Sequence, residues 1–158
     1  METLKHKKKM PWIAVVLWMT VIFLFSAQTG NQSGNTSGEV VRWFIGLFYR
    51  NFGDLPPAEQ TRILEIVHLL IRKGAHFTEY AVLAMLAANA IRNRIPDRWW
   101  FPIAFSSLYA VTDEIHQYFV PERACRFLDV CIDTAGAAFG TALFLLLIVI
   151  KNRISPKR

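Results

Sequence analysis

Hydrophobic and polar positions along this chain are segregated into long blocks. Two stretches, PWIAVVLWMTVIFLFSA (11–27) and TAGAAFGTALFLLLIVI (134–150), each run seventeen residues without a charge, near the lower length limit for a helix that crosses the hydrocarbon layer. A third apolar block, about 75–92, is interrupted near its start by His76 and Glu79, and a fourth, about 99–119, ends in the polar run TDEIHQY. The pattern predicts an all-α, polytopic membrane protein with four transmembrane helices, at about 11–28, 75–92, 99–119 and 131–150, in a single domain over 1–158.

The connection between the first two spans has its own pattern. GNQSGNTSG reads as a polar, flexible turn. EVVRWFIGLFYRNF (39–52) gathers aromatic and aliphatic residues around two arginines, as an interfacial helix would. DLPPAEQTRILEIVHLLIRKG then reads as a second amphipathic helix, with Asp54 near its cap, Pro56 and Pro57 near its first turn, and Gly74 permitting a bend into the second span. The outer amphipathic segment is thus expected over about 39–72.

Composition agrees with a membrane protein: 53% of the 158 residues are hydrophobic and 13% aromatic. The net charge of +6 does not point to nucleic acid, because the basic residues sit in short blocks beside apolar runs, and no zinc-finger spacing or glycine-rich phosphate loop is present. With the N-terminus inside, Lys5, Lys7, Lys8, Lys9, Arg92, Arg94, Arg98, Lys151, Arg153, Lys157 and Arg158 are cytoplasmic, eleven of the eighteen Lys and Arg residues. Both termini are therefore expected in the cytoplasm. KHKKK before the first block also suits a signal peptide, but the apolar run is longer than usual and no small-x-small pattern closes it, so a retained helix is expected. Cys125 and Cys131 are read as free thiols, and Trp12, Trp99 and Trp100 as interfacial anchors.

Depth counting places the ionisable groups. Asp113 lies roughly 21 Å along the third span from Trp99, Glu79 roughly 18 Å from Ile91, and Asp133 roughly 26 Å from Ile150, in a layer of about 30 Å. All three reach the outer part of the membrane. By helical facing, Lys73, His76 and Tyr80 fall within about 60°, with Glu79 about another 60° away. Ser106, Tyr109, Asp113, His116 and Gln117 share one side of the third span, with Glu114 about 100° off it, and Asp129, Asp133, Gly136 and Gly140 form one stripe on the fourth. An ionised side chain at mid-bilayer costs about 2.5 to 3.5 kcal/mol, so these faces are expected to turn toward one another.

Within that cluster, His76, Glu79, Asp113, His116 and Asp133 are the candidates for acid/base chemistry, since partial burial moves such groups toward neutrality. Lys73 and Arg123 are suited to hold a phosphate or carboxylate, with Arg123 folding back over the acids as their counter-charge. Tyr80, Gln117 and Asp129 complete the binding set. The pairs His76/Glu79 and Asp113/His116, spaced i and i+3, also raise a divalent metal as a variant, because facing helices build such sites in bundles. Against it, Lys73 and Arg123 oppose a cation. His68 reads as a surface or packing residue and Glu114 as a structural partner of a basic residue. Ser26, Gln28, Ser33 and Ser37 are either turn residues or a rim of hydrogen-bonding groups at the mouth.

At these residues the chain resembles the VanZ-like family of small bacterial membrane proteins, through FSAQTGNQSGNTS, KGAHFTEYAVLAMLAA and TDEIHQYFVPERACRFLDVCIDTAGAAFG. The resemblance covers about residues 20 to 145. It implies a multi-pass protein of the bacterial cell membrane, whose namesake contributes to low-level resistance to the glycopeptide teicoplanin. The family's motif positions fall here on Ser26, Gln28, Ser33, Ser37, Lys73, His76, Glu79 and Tyr80 in the first half. In the second they fall on Asp113, Glu114, His116, Gln117, Arg123, Asp129, Asp133 and Gly136. Glu122 departs from the pattern, where the family often has glycine before the arginine. The resemblance supplies no agreed reaction, so the readings that stand are an enzyme acting on a lipid-linked or phosphate-bearing envelope component, a non-enzymatic protein that binds a lipid or glycopeptide-related ligand or modulates a partner, and a polar cluster that is mainly structural and locks the helices together. A proton or ion pathway is opposed by the apolar inner halves of the spans.

Overall fold

A computed structural model describes residues 2–95 and 97–154. Among the described residues the chain is all-α, with five α-helices and no strand: α1 (Glu2–Ser26), α2 (Gly30–Phe48), α3 (Pro57–Ala90), α4 (Trp100–Tyr118) and α5 (Phe127–Ile154). Short 3-10 turns occupy Phe52–Asp54 and Arg92–Arg94. Of these helices, α5 is long and apolar enough to cross a membrane, and Pro11–Ser26 of α1 is a shorter apolar helix. Lys73, His76 and Glu79 in α3, and Asp113, Glu114, His116 and Gln117 in α4, make those helices less apolar.

The central helix is α3, which packs against α1, α2, α4 and α5. Its second half is rich in small residues, and Ala81, Ala84, Ala87 and Ala88 are buried. Opposite them, α5 presents Gly136 and Gly140. A Cβ on Gly136 would stand 2.2 Å from the Phe77 carbonyl oxygen, and one on Gly140 2.1 Å from that of Ala81. The two backbones therefore touch at positions only glycine permits, the close approach that small residues provide between membrane helices. On the other side, Val15 and Ile22 of α1 join Tyr80, Leu83 and Ala110 in the core. The Trp18 indole N–H donates to the Glu79 carbonyl at 2.9 Å, and the Tyr109 hydroxyl to the Met19 carbonyl at 2.7 Å.

Two local expectations are corrected. Gly74 does not bend the chain: α3 runs unbroken through it, and the Thr78 hydroxyl donates to the Gly74 carbonyl at 2.7 Å. The expected outer helix and second span are one helix of 34 residues, roughly 51 Å long. GNQSGNTSG is helical from Gly30 rather than a turn, since continuing the α2 ladder satisfies backbone groups that a turn would leave to water. In α2, Val41 and Ile45 are buried while Trp43, Leu47 and Phe48 are exposed. Apolar residues thus lie on its outer side as well as against α3.

Candidate functional site

Two turns of α3 carry much of the site. Arg72, Ala75, His76 and Glu79 recur at i, i+3, i+4 and i+7 and so lie on one face. With Ile71 beside them, they line a cleft of about 260 Å³ together with Ile22, Phe25 and Ser26 from the end of α1, Gln28 just after it, Val40 from α2, Asp113 from α4, and Arg123 from the loop after α4. Apolar side chains form one part of this wall and ionisable ones the other.

Behind the cleft, α5 supplies carboxylates to the neighbouring face of α3. Lys73 Nζ is 2.8 Å from Asp129 Oδ1, a charge-assisted hydrogen bond. One turn deeper, His76 Nδ1 is 3.5 Å from Asp133 Oδ1, long for a hydrogen bond and better described as an electrostatic contact. Both pairs follow from the parallel run of the two helices and the glycine contacts just below them. A small cavity of about 20 Å³ lies beside these pairs, lined by Arg72, Lys73, His76, Arg126 and Asp129 among others, room for one water rather than a ligand. His76 reaches both cavities, with Asp133 behind it.

The α4 side chains divide among three neighbours. Asp113 and Gln117 are buried toward the bundle centre, and Gln117 Nε2 donates to Asp113 Oδ2 at 3.1 Å. Glu114, expected to stand apart from the common face, is instead buried, and its Oε2 accepts the Arg126 backbone N–H at 2.8 Å. Its partner is thus a main-chain N–H and not the basic side chain expected of it. The physical reason is that α4 packs on α5 as well as on α1 and α3, so its interior side is broader than one stripe. His116 lines neither cavity described above. Its ring packs against Phe23 of α1 with centroids 4.6 Å apart.

That placement bears on the metal. Among the described residues no group of three or more His, Cys, Asp or Glu side chains is positioned to hold a metal ion. The set His76, Glu79, Asp113 and His116 does not form one, because His116 turns to α1 while His76 turns to Asp133.

Arg123 reaches the cleft differently from the sequence expectation. Its Nε donates to the Gln28 carbonyl at 3.1 Å, and among the described residues no carboxylate forms an ion pair with it. Burial, and next the nearby Arg72 guanidinium, hold its ionisation below the ordinary arginine value, while Asp113, Glu114 and Glu79 act in the opposite sense. The guanidinium is thus anchored by one nitrogen beside a second cation.

The loop explains the position before it. The Arg123 N–H closes a turn on the Val120 carbonyl at 3.2 Å, Pro121 is second, and Glu122, third, has φ of 63°. These features define a type II turn, which favours glycine at that third position. Ser26 is buried at the cleft and Gln28 lines it, whereas the side chains of Ser33 and Ser37 lie outside the described residues. Tyr80 is buried in the core behind the cleft. Cys125 and Cys131 are free and exposed.

Sequence reasoning missed Arg72. Its signal was available, since it precedes His76 by four residues and Glu79 by seven, but Lys73 beside it drew the assignment of the binding cation. No curated protein and no solved structure matches the chain. A family model does, over residues 11–149, a span that takes in the cleft and both carboxylates of α5: the chain belongs to the VanZ/LLP1 family, which at family level supports a membrane protein linked to glycopeptide resistance.

Proposed function

We propose that this protein is a single membrane domain that crosses the bilayer four times, with both termini in the bacterial cytoplasm. Its cleft then opens to the outer leaflet and takes a lipid-linked or phosphate-bearing component of the cell envelope. The carrying observation is the division of the cleft wall. Ile22, Phe25, Val40 and Ile71 offer apolar contact, while Arg72 and Arg123 meet at its polar part with His76, Glu79 and Asp113. Two guanidiniums suit a phosphate, which accepts their planar donors in pairs, and the apolar wall suits the first part of a lipid tail. His76, backed by Asp133, is the group best placed for proton transfer to a bound headgroup.

The test is chemical and needs no assumed substrate. Full-length protein is purified from membranes, its retained lipid extracted, and phosphorus measured per mole of protein. Arg72→Gln combined with Arg123→Gln is expected to abolish retention above that of a detergent blank while leaving folded protein. Equal phosphorus in the double variant and wild type overturns the reading. A family-level role in glycopeptide resistance predicts, in addition, a raised inhibitory concentration of teicoplanin in cells expressing the wild type.

A second reading has its own support. Lys73–Asp129 and the Arg126–Glu114 contact tie α3, α4 and α5 together, as expected if the polar cluster is mainly structural and the protein binds a ligand or modulates a partner without catalysis. His76→Gln separates the two. An enzyme loses its phenotype and keeps its retained lipid, whereas a binding protein keeps or loses both together.

A further inference from the structure

The small cavity beside the Lys73–Asp129 pair and the larger cleft have two lining residues in common, Arg72 and His76. A ligand seated against that shared wall meets both spaces. Their charges differ. In the cleft, Arg72 and Arg123 stand with two acids, Glu79 and Asp113. Around the small cavity, Arg72, Lys73 and Arg126 stand with one, Asp129, and Lys73 Nζ takes that carboxylate at 2.8 Å. The excess of positive charge thus lies on the α5 side of Arg72, next to the cleft rather than within it.

Size and access limit what can use that charge. The small cavity, about 20 Å³, admits one oxygen-sized atom, so it does not take a whole phosphate. Arg126 on its wall is exposed, whereas Arg72 and His76 are half-buried. An anionic group lying at the Arg126 side would put one oxygen into the cavity and keep the others outside it. Arg72 can serve both spaces, because a guanidinium carries N–H donors on more than one edge. Arg126 adds a second guanidinium, whose planar fork matches phosphate oxygens.

The shared wall also sets the spacing within the ligand. With Arg72 common to both spaces, the two anionic groups it contacts must be neighbours in one molecule. Two phosphates joined through one oxygen meet that condition. A headgroup with a single phosphate would leave the more positive of the two spaces unused.

We propose that the cleft takes a lipid diphosphate, with the lipid-bearing phosphate between Arg72 and Arg123 and the terminal phosphate between Arg72 and Arg126. This inference rests on the reading of the cleft as a phosphate and lipid site, and narrows its ligand class. The test is calorimetric titration of full-length protein in detergent with farnesyl diphosphate, farnesyl monophosphate and inorganic diphosphate. Farnesyl diphosphate is expected to bind at least about tenfold more tightly than the monophosphate, the effect of one added charge-assisted hydrogen bond. It is also expected to bind more tightly than inorganic diphosphate, which has no tail for Ile22, Phe25 and Val40. Arg126→Gln should bring the ratio between the two farnesyl ligands down toward one. Arg62→Gln, which removes an exposed cation earlier on α3, should leave that ratio at its wild-type value.

The contrary outcomes separate cleanly. If both farnesyl ligands bind with equal affinity, the diphosphate assignment is wrong and the cleft reading survives. If neither binds, the cleft reading fails and this inference with it. Inorganic diphosphate binding as tightly as farnesyl diphosphate would assign the site to a free anion and overturn the lipid ligand. A ratio unchanged in Arg126→Gln, or lowered as far by Arg62→Gln, would overturn the second phosphate position. The wild-type ratio decides the ligand class even if Arg126→Gln does not fold.

Discussion

Helix α3 has two working faces, and they are built in opposite ways. Toward α5 its backbone meets Gly136 and Gly140 in direct contact, and the acids opposite Lys73 and His76 are brought close. Toward α1 the neighbours are large, Ile22 and Phe25, and between them and Arg72, His76 and Glu79 a cleft stays open. Small residues closed one interface, and the bulk of the other kept space beside the same two turns of helix. His76 stands at the junction, within reach of Asp133 and on the wall of the cleft.

Adding the same side chain to each face should break this comparison most sharply. Gly140→Leu would place Cβ 2.1 Å from the Ala81 carbonyl oxygen, so α5 must move away, at a cost at or above the roughly 3 kcal/mol of severe overpacking. Loss of monodisperse protein on size exclusion is expected; a normal profile with an unchanged unfolding midpoint would disprove the contact. Ala75→Leu lies on the open face, where the residue is exposed. It should change stability by less than about 0.5 kcal/mol while displacing retained phosphorus from the cleft. If both variants fold and bind alike, the two faces do not differ as described.

The next effect belongs to the closed face. Lys73 and Asp129 are partly buried, with side chains 25% and 12% exposed, so a double-mutant cycle of Lys73→Met and Asp129→Asn should return a coupling of about 1 to 3 kcal/mol. Thermal unfolding of the four proteins measures it. A coupling indistinguishable from zero would make the pair an incidental surface contact and weaken the case that polar groups hold this seam.

The contrast between these faces was only half legible in the sequence. Periodicity and rise put Lys73, His76, Asp113, Asp129 and Asp133 at related depths, because both are fixed by helix geometry alone. The glycine stripe on the acid face of α5 was legible for the same reason. How a helix is shared among neighbours is not a local property. Glu114 looked peripheral because one stripe was assumed to face inward, and α4 has three partners. Gly74 looked like a bend because its flexibility is local information, whereas unbroken hydrogen bonding on both sides holds it helical. Arg72 was hidden by its neighbour: of two adjacent cations, only the partner helix decides which is paired and which faces the cleft.

The smallest effect concerns the loop that presents Arg123. Glu122 holds φ at 63°, a left-handed conformation that costs an ordinary residue roughly 1 to 2 kcal/mol. Glycine removes that steric cost but loses more backbone freedom on folding, by about 0.5 to 1 kcal/mol. The difference predicts that Glu122→Gly raises stability by less than about 1 kcal/mol, offset further by whatever contact the carboxylate makes. Because the turn is closed by the Arg123 N–H on Val120, the variant should keep the guanidinium at Gln28 and leave retained phosphorus unchanged. Glu122→Val should do the reverse, since a branched side chain resists the left-handed region. It is expected to lower the unfolding midpoint and reduce retention together, by freeing Arg123 from the place where the cleft requires it. Should Glu122→Val keep full retention of phosphorus while lowering the midpoint, the turn is not what positions the arginine.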